Sequence, residues 1–162
     1  MKLRECISPA GAGIDRQKFR DTSPLLRQMP SEHFVREHFA KLQEGNNEAF
    51  YSHVADTAIF KVTGSGNPLH GTYTSKSEFF TKYQGSLAER STHINRNVTN
   101  IIVMGEYVVV EFTALGFGKT IGNYEVEVLW LCKYRNDEIV EITMYMDSAT
   151  VKKAFEDNSL AS

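Results

Sequence analysis

The first clear pattern of hydrophobic and polar positions is a helical one, in the segment SEHFVREHFAKLQEG that begins at Ser31. Its apolar and aromatic positions recur at the spacing of one helix face: Phe34, Val35, His38, Phe39 and Leu42. Ser31 is suited to cap the start of this helix, and Gly45 is suited to end it. Three further segments are predicted to be helices: NNEAFYSHV, SKSEFFTKYQGSLAER and SATVKKAFED.

Five other segments alternate between apolar and polar positions, which is typical of strands with one buried face. TAIFKVTG precedes the third helix, and THINRNVTNIIV, YVVVEFTALGF, YEVEVLWLCKY and EIVEITMYM follow it with short links between them. Because helices come first and antiparallel strands come later, we predict an α+β fold.

One face of the predicted sheet is strongly apolar, so it must be covered by other elements. The inner positions are Ala58, Phe60, Val62, Val110, Phe112, Ala114, Val126, Val128, Trp130, Cys132, Tyr134, Ile142, Met144 and Met146. The opposite face mixes acidic residues with Leu129, Leu131 and Tyr145. That mixture favours a homodimer interface over open water.

The strand THINRNVTN departs from this pattern because one of its rows is polar. That row holds His93, Asn95, Asn97 and Thr99, and the other row holds Ile94, Arg96 and Val98. Asparagine is depleted in strands. The polar row therefore either lines a pocket or is a solvated face near the sheet edge, and the sequence leaves both alternatives open.

Length, composition and charge fit one soluble domain. The chain has 162 residues, and we predict an N-terminal arm at 1–30, a domain at 31–157 and a tail at 158–162. The formal charge of −2 gives no basic surface for nucleic acid. We find no membrane span, no secretory signal and no metal-type spacing of cysteine or histidine. A cytoplasmic protein without metal or cofactor is expected.

The order of elements resembles the SnoaL-like polyketide cyclases of the ketosteroid isomerase and nuclear transport factor 2-like superfamily. The stretches that carry the resemblance are VADTAIFKVTGSGNPLHGTYTSKSEFF, NRNVTNIIVMGEYVVVEFTALG, NYEVEVLWLCKYRNDEIVEI and MYMDSATVKKAF, within residues 32–156. The resemblance implies a curved antiparallel sheet wrapped around a long N-terminal helix. It also implies a conical cavity, and usually a homodimer.

The resemblance can be carried over position by position. The tyrosine donor that ketosteroid isomerases place on the first helix corresponds to His38 in this chain. Their general base corresponds to Val62 and their protonated aspartate to Trp130, while the acid of related hydrolases and cyclases corresponds to Met144. Scytalone dehydratase keeps its catalytic histidine at the start of the strand after the third helix, which corresponds to His93.

With the usual carboxylates replaced, His38 and His93 are the candidates for proton transfer, since imidazole can both give and take a proton near neutral pH. Asn95 is predicted to orient the substrate carbonyl or the imidazole. The residues predicted to bind substrate are Tyr51, Phe60, Val62, Tyr73, Phe112, Trp130 and Met144. Their apolar character favours a polyketide or terpenoid ligand.

The expected function is that of a small-molecule enzyme of secondary metabolism. It would catalyse isomerisation, cyclisation or dehydration by proton transfer, without a cofactor. The alternative is a non-catalytic ligand-binding or dimerisation module of the same fold.

Asp147 is the one carboxylate near the end of the last predicted strand, in EITMYMDSAT. It has the parity of Tyr145, opposite the inner methionines, and it directly precedes the final helix. An aspartate at that position accepts hydrogen bonds from free backbone N–H groups. We therefore predict that Asp147 is a helix cap rather than a catalytic acid.

Overall fold

The structure, a computed structural model, describes residues 29–120 and 122–158. The helices are α1 (Glu32–Gln43), α2 (Asn47–Tyr51), α3 (Lys76–Phe79), α4 (Gly85–Arg90) and α5 (Ser148–Asp157), and a π-helical turn (Phe80–Gln84) joins α3 to α4. The strands are β1 (Val54–Val62), β2 (Gly71–Tyr73), β3 (Ser91–Met104), β4 (Tyr107–Gly118), β5 (Asn123–Arg135) and β6 (Glu138–Met146). Almost all of the predicted arm and tail lies outside the described residues.

The six strands form one curved, unclosed sheet in the order β2-β1-β6-β5-β4-β3. Neighbouring strands are antiparallel except β1 and β6, which run parallel. The predicted α+β class and all five predicted strands are confirmed. The three-residue strand β2 was not predicted, and β3 is the edge strand at the other side of the sheet.

The predicted first helix is confirmed at both ends. The Ser31 hydroxyl accepts a hydrogen bond from the backbone N–H of Phe34 at 3.1 Å, which satisfies one of the free donors of the first turn. Gly45 has a φ of +78°, a left-handed conformation that glycine adopts without strain. Val35, His38, Phe39 and Leu42 are buried, so this helix presents its apolar stripe to the sheet.

The inner sheet face carries the core, as the strand parity predicted. Phe60, Val110, Cys132, Ile142 and Met144 are all fully buried. Helices α1, α3, α4 and α5 pack against β3, β1, β3 and β5 respectively. They cover different parts of this face, and the space that they leave decides where a ligand fits.

The inner row of β3 changes parity along the strand. Arg96 lies opposite Ala114 and Val98 opposite Phe112, whereas Ile101 lies opposite Val110. An extra residue in β3 between these pairs forms a bulge, and such bulges bend an edge strand. Before the bulge the inward row is Ile94, Arg96 and Val98.

Candidate functional site

An apolar cavity lies on the inner face of the sheet, between the π-helical turn and α4 on one side and α5 on the other. It has about 560 Å³ of empty space including its mouth. The centre of a water molecule can occupy about 60 Å³ of that space. Its apolar wall consists of Leu69, Leu87, Ile94, Phe112, Ala114, Val126, Val128, Trp130, Met146, Val151 and Phe155. A wall of this kind with a few polar groups is typical of small-molecule sites.

Four polar side chains complete the cavity wall: Tyr83, Gln84, Arg96 and Tyr124. The Tyr124 hydroxyl is hydrogen bonded to the hydroxyl of Ser91 at 2.8 Å. Gln84 donates from Nε2 to the Tyr51 hydroxyl at 3.1 Å. These two groups are therefore held in place by neighbours. In contrast, the Tyr83 hydroxyl has no hydrogen bond to a described residue, and Arg96 has one long hydrogen bond to a side chain.

The Tyr83 hydroxyl forms no hydrogen bond with any residue that the structure describes. Its ring is buried and stacks on Phe79, with ring centroids 4.6 Å apart. Burial raises the pKa of Tyr83, so its hydroxyl stays protonated and can donate a hydrogen bond. The π-helical turn places this residue and the adjacent Gln84 on the cavity, and such turns occur often at functional sites.

Arg96 is half-buried at the mouth of the cavity and pairs with no carboxylate in the described part of the chain. Arg96 donates one long hydrogen bond to a described side chain, from Nη1 to the side-chain oxygen of Asn47 at 3.4 Å. Its positive charge lowers the pKa of Tyr51, against the larger raising effect of burial. The guanidinium can therefore bind an oxygen-bearing ligand with most of its five N–H donors.

A shallow groove continues from the cavity mouth across the edge strand. The cavity and the groove share Gln84, Leu87, Ile94 and Arg96. The remaining lining of the groove is Gly45, Asn47, Ala88, Ser91, Thr92, His93 and Asn95. The mouth thus opens between α4 and β3, and the polar row of β3 borders its outside.

His93 and Asn95 are exposed on the outer side of β3 and line the groove rather than the enclosed cavity. The His93 ring stacks on Phe117 with centroids 3.9 Å apart, and its Nδ1 lies 3.1 Å from the Thr92 hydroxyl. The polar row is thus exposed at the edge of the sheet, and two of its members, His93 and Asn95, also line the groove. Arg96 and Ile94, from the opposite row, face the cavity instead.

His38 lies on the buried face of α1 and is not part of the cavity wall. Its Nε2–H donates to the carbonyl oxygen of Phe50 at 2.7 Å, so Nδ1 accepts from the Tyr134 hydroxyl at 2.9 Å. Burial lowers the pKa of His38 to about 4, and the neighbouring His53 contributes in the same direction. Both ring nitrogens are satisfied by the protein, and the structure does not bring His38 and His93 to one cavity.

Two of the seven residues predicted to bind substrate, Phe112 and Trp130, lie on the cavity wall. They contact each other edge to face, with ring centroids 5.1 Å apart. Trp130 is only 4% exposed, which confirms that its indole points inward.

The other five predicted binding residues lie outside the cavity wall: Tyr51, Phe60, Val62, Tyr73 and Met144. All five are buried, Tyr51 on α2 and the other four on β1, β2 and β6. Phe60 stacks on Phe79 of α3 at 4.0 Å, and the Tyr73 hydroxyl donates to the carbonyl of Leu69 at 2.8 Å. Tyr51 and Tyr73 also border two other surface pockets, and the role of these five residues in substrate binding stays a prediction.

Asp147 caps α5, as predicted. Its Oδ1 accepts from the backbone N–H groups of Ala149 at 2.9 Å and Thr150 at 3.3 Å, and its Oδ2 accepts from the Thr150 hydroxyl at 2.6 Å. These hydrogen bonds lower the pKa of the exposed carboxyl group. Asp147 therefore fixes the start of the helix that supplies Val151 and Phe155 to the cavity wall.

The chemistry of the site is that of hydrogen-bond donors beside an apolar space. No carboxylate or imidazole is among the described side chains that line the enclosed cavity. Nor do three or more His, Cys, Asp or Glu side chains gather as metal ligands in the ranges 29–120 and 122–158. In the same ranges, no helix is both long and apolar enough to cross a membrane.

Comparisons with known proteins agree with this architecture. An NTF2-like protein from Burkholderia thailandensis superposes with a TM-score of 0.66 at 20% identity, covering 76% of this chain and 95% of that chain. IdmH from Streptomyces antibioticus, provisionally assigned as a polyketide cyclase, gives 0.58 at 18% identity, covering 76% and 96%. TerC, crystallised with polyporic acid, gives 0.63 at 12% identity, also covering 76% and 96%.

A search of curated proteins finds no sequence relative of this chain. The sequence model of the SnoaL-like domain, however, matches residues 35–142, which is most of the described fold. The chain therefore belongs to the SnoaL-like domain family, and it has the NTF2-like fold of the structures that it resembles.

Proposed function

We propose that the cavity binds an apolar small molecule with a carbonyl or enolate oxygen and promotes its cofactor-free isomerisation, cyclisation or dehydration. The observation that carries this proposal is Arg96. A half-buried guanidinium beside an apolar cavity, without a carboxylate partner in the described chain, is a site for a ligand oxygen that bears negative charge.

The physical reason is that enolisation moves negative charge onto the carbonyl oxygen. Donors that are already in place stabilise this charge most strongly in a site with little water, and one such donor typically contributes about 10²–10³-fold in rate. Arg96 supplies a charged donor and Tyr83 a protonated hydroxyl with no partner among the described residues. Gln84 has one amide proton left after its hydrogen bond to Tyr51.

The wall favours a polyketide-like or terpenoid-like ligand. Phe112, Trp130 and Phe155 offer ring faces, and Met146 is a flexible side chain that adapts to irregular shapes. Because water centres can occupy only about 60 Å³, a multi-ring ligand requires the half-buried Met146 and Phe155 to move. Two structural neighbours support this proposal: IdmH is provisionally assigned as a polyketide cyclase, and TerC was crystallised with an organic small molecule, polyporic acid.

The proton acceptor for this chemistry is not part of the described cavity wall. The assignment of proton transfer to His38 and His93, with Asn95 as the orienting residue, stays a prediction, and the separation of the two histidines gives it no support. The same observation favours a second candidate, a non-catalytic binding module. Donors without a base bind a ligand oxygen but do not remove a proton.

One pair of measurements tests the proposal and separates the two candidates. The fluorescence of Trp130, the only tryptophan, reports binding. It is measured while one of two probes is added: a naphthyl ketone, or the matching hydrocarbon with a methylene in place of the carbonyl. We expect the ketone to bind more tightly, because only it has an oxygen for Arg96.

The second measurement follows exchange of the protons next to the carbonyl in D₂O by NMR. Exchange that the protein accelerates supports the enzyme. Ketone binding without exchange supports the binding module, and equal affinity for ketone and hydrocarbon contradicts the role of Arg96 in both.

We also propose that the chain is a homodimer through the outer face of the sheet. Leu129 and Tyr145 are cross-strand partners there, and Tyr145 is 46% exposed. Leu131 continues the same apolar row on β5. Light scattering is expected to give twice the chain mass at micromolar concentration, and a monomer would contradict this proposal.

A further inference from the structure

The groove outside the cavity has a chemistry of its own. The cavity wall is mostly apolar, whereas most residues that line the groove have hydrogen-bonding side chains: Asn47, Gln84, Ser91, Thr92, His93, Asn95 and Arg96. No acidic side chain lines it in the part of the chain that the structure describes. A groove with a cation and neutral donors but no acid attracts an anion.

The groove is continuous with the cavity, so one ligand can occupy both. Four side chains line both spaces, and Arg96 lies at the boundary between them. Its guanidinium has five N–H donors in a planar fork that matches a carboxylate. One edge of the fork can face an oxygen in the cavity while the other edge faces an anion in the groove.

Two groups on the outer row of β3 complete this arrangement. His93 is held by its stacking on Phe117 and by the contact of Nδ1 with the Thr92 hydroxyl. Its Nε2 has no hydrogen-bond partner among the described residues, so it is free to donate or accept. Asn95, the next residue of the same row, is exposed and also lines the groove.

We propose that the ligand is amphipathic, with an apolar body in the cavity and a terminal carboxylate in the groove. Arg96 is the charged partner of the carboxylate, and His93 and Asn95 are further donors. This inference rests on the proposed function, because it assigns the part of the ligand that remains outside the cavity. The substrate class is therefore an aromatic or polycyclic keto acid rather than a neutral ketone.

The test compares two probes on one skeleton, a naphthyl keto acid and its primary amide, in a series with two to five methylene groups between ketone and carboxyl. Binding is followed by Trp130 fluorescence at low ionic strength, where exposed charges are least screened. For the best chain length, the acid is expected to bind about tenfold more tightly than the amide, as a charge-assisted hydrogen bond is roughly twice as strong as a neutral one.

Asn95→Asp places a negative charge in the groove without changing the size of the side chain. It is expected to remove most of the preference for the acid, because the new carboxylate repels the acid but can still accept a hydrogen bond from the amide. Asn97→Asp is the matched control, since Asn97 lies on the same outer row of β3 but does not line the groove. That variant should keep the tenfold preference.

Equal binding of acid and amide to the unchanged protein would overturn this inference while the proposed function stands. Equal loss of the preference in Asn95→Asp and Asn97→Asp would also overturn it, because the effect would then come from net charge and not from the groove. If neither probe changes the fluorescence, the proposed function fails and this inference fails with it.

Discussion

The inner face of the sheet has two ends with similar apolar rows. They differ in whether their polar side chains have partners within the protein. On the buried face of α1, both ring nitrogens of His38 are hydrogen bonded within the protein. Between α4 and α5, Arg96 has no carboxylate partner among the described residues, and the hydroxyl of Tyr83 has no hydrogen-bond partner among them. The comparison teaches that the presence of a partner, rather than the residue type, separates a structural polar group from one that can serve a ligand.

Side-chain size explains why one end is filled and the other is open. At the closed end, the His38 ring stacks on Phe50 with centroids 4.4 Å apart, and Phe39 packs beside it. At the open end, β4 has Ala114 and Gly116 on its inner row. A Cβ atom at Gly116 would lie 2.2 Å from the Tyr124 ring, so only glycine lets that ring lie across the strand.

The largest effect is expected from removing the charge at the open end. Arg96→Met keeps most of the apolar volume but removes all donors, so any catalysed proton exchange should fall by about 10²–10³-fold. The matched control is Arg135→Met, an exposed arginine at the far end of β5. If the two variants behave alike in the NMR exchange assay, the open end is not the site.

The next effect concerns the closed end and depends on pH. The pKa of His38 is about 4 in the folded chain and about 6.5 in the unfolded chain, so the unfolded chain binds more protons between these values. Stability contributed by neutral His38 is complete above about pH 6.5 and is lost as the pH falls towards 4. The loss is about 3 kcal/mol.

Denaturant unfolding at several pH values measures this loss, with His38→Gln as the comparison because its side chain can donate and accept but cannot titrate. The variant should lack this part of the pH dependence. The same variant tests the predicted catalytic role. If it folds and any turnover persists, His38 is structural, and if turnover alone is lost, the contrast between the two ends is wrong.

A pair of alanine substitutions compares the space at the two ends directly. Ala58 is fully buried in the filled core, so Ala58→Leu should destabilise the protein by about 1–3 kcal/mol through overpacking. Ala114 borders the cavity, so Ala114→Leu should cost little or be stabilising while it blocks ligand binding. Thermal unfolding measures the stability of the two variants, and the Trp130 titration measures their ligand binding. Equal destabilisation by the two substitutions would show that the cavity has no room for a larger side chain.

The smallest effect is expected at the cap of the helix that walls the open end. Asp147→Ala removes three hydrogen bonds at the start of α5 and should cost about 1 kcal/mol, whereas Asp147→Asn should retain most of the stability. Denaturant unfolding gives both values. Lost turnover in a folded Asp147→Asn would mean that the carboxylate takes part in catalysis after all.

Local sequence signals predicted the fold well because they depend on near neighbours. The Ser31 cap, the Asp147 cap and the parity of Trp130 each follow from a few adjacent residues. The hydrophobic pattern also placed Phe112 correctly on the inner face. These features required no knowledge of how distant segments meet.

The candidate site was harder to predict because it depends on distant contacts. His38 is satisfied by Tyr134, which follows it by 96 positions, so its sequence neighbourhood gives no sign that it has a partner. Arg96 shares its row with Ile94 and Val98. An arginine in an otherwise apolar row was the sequence signal for a site at Arg96. The prediction chose His93 and Asn95 instead, because their row of the same strand is polar.

The π-helical turn sets the rotation of the helix that follows it. Its hydrogen bonds run from residue i to i+5, one residue further than those of an α-helix, between Phe79 and Gly85. Deleting one residue there would rotate the following helix by about 100°. Leu87 would turn away from the mouth, so a variant of this chain with one residue of the turn deleted is expected to have a differently shaped entrance and to accept other ligands.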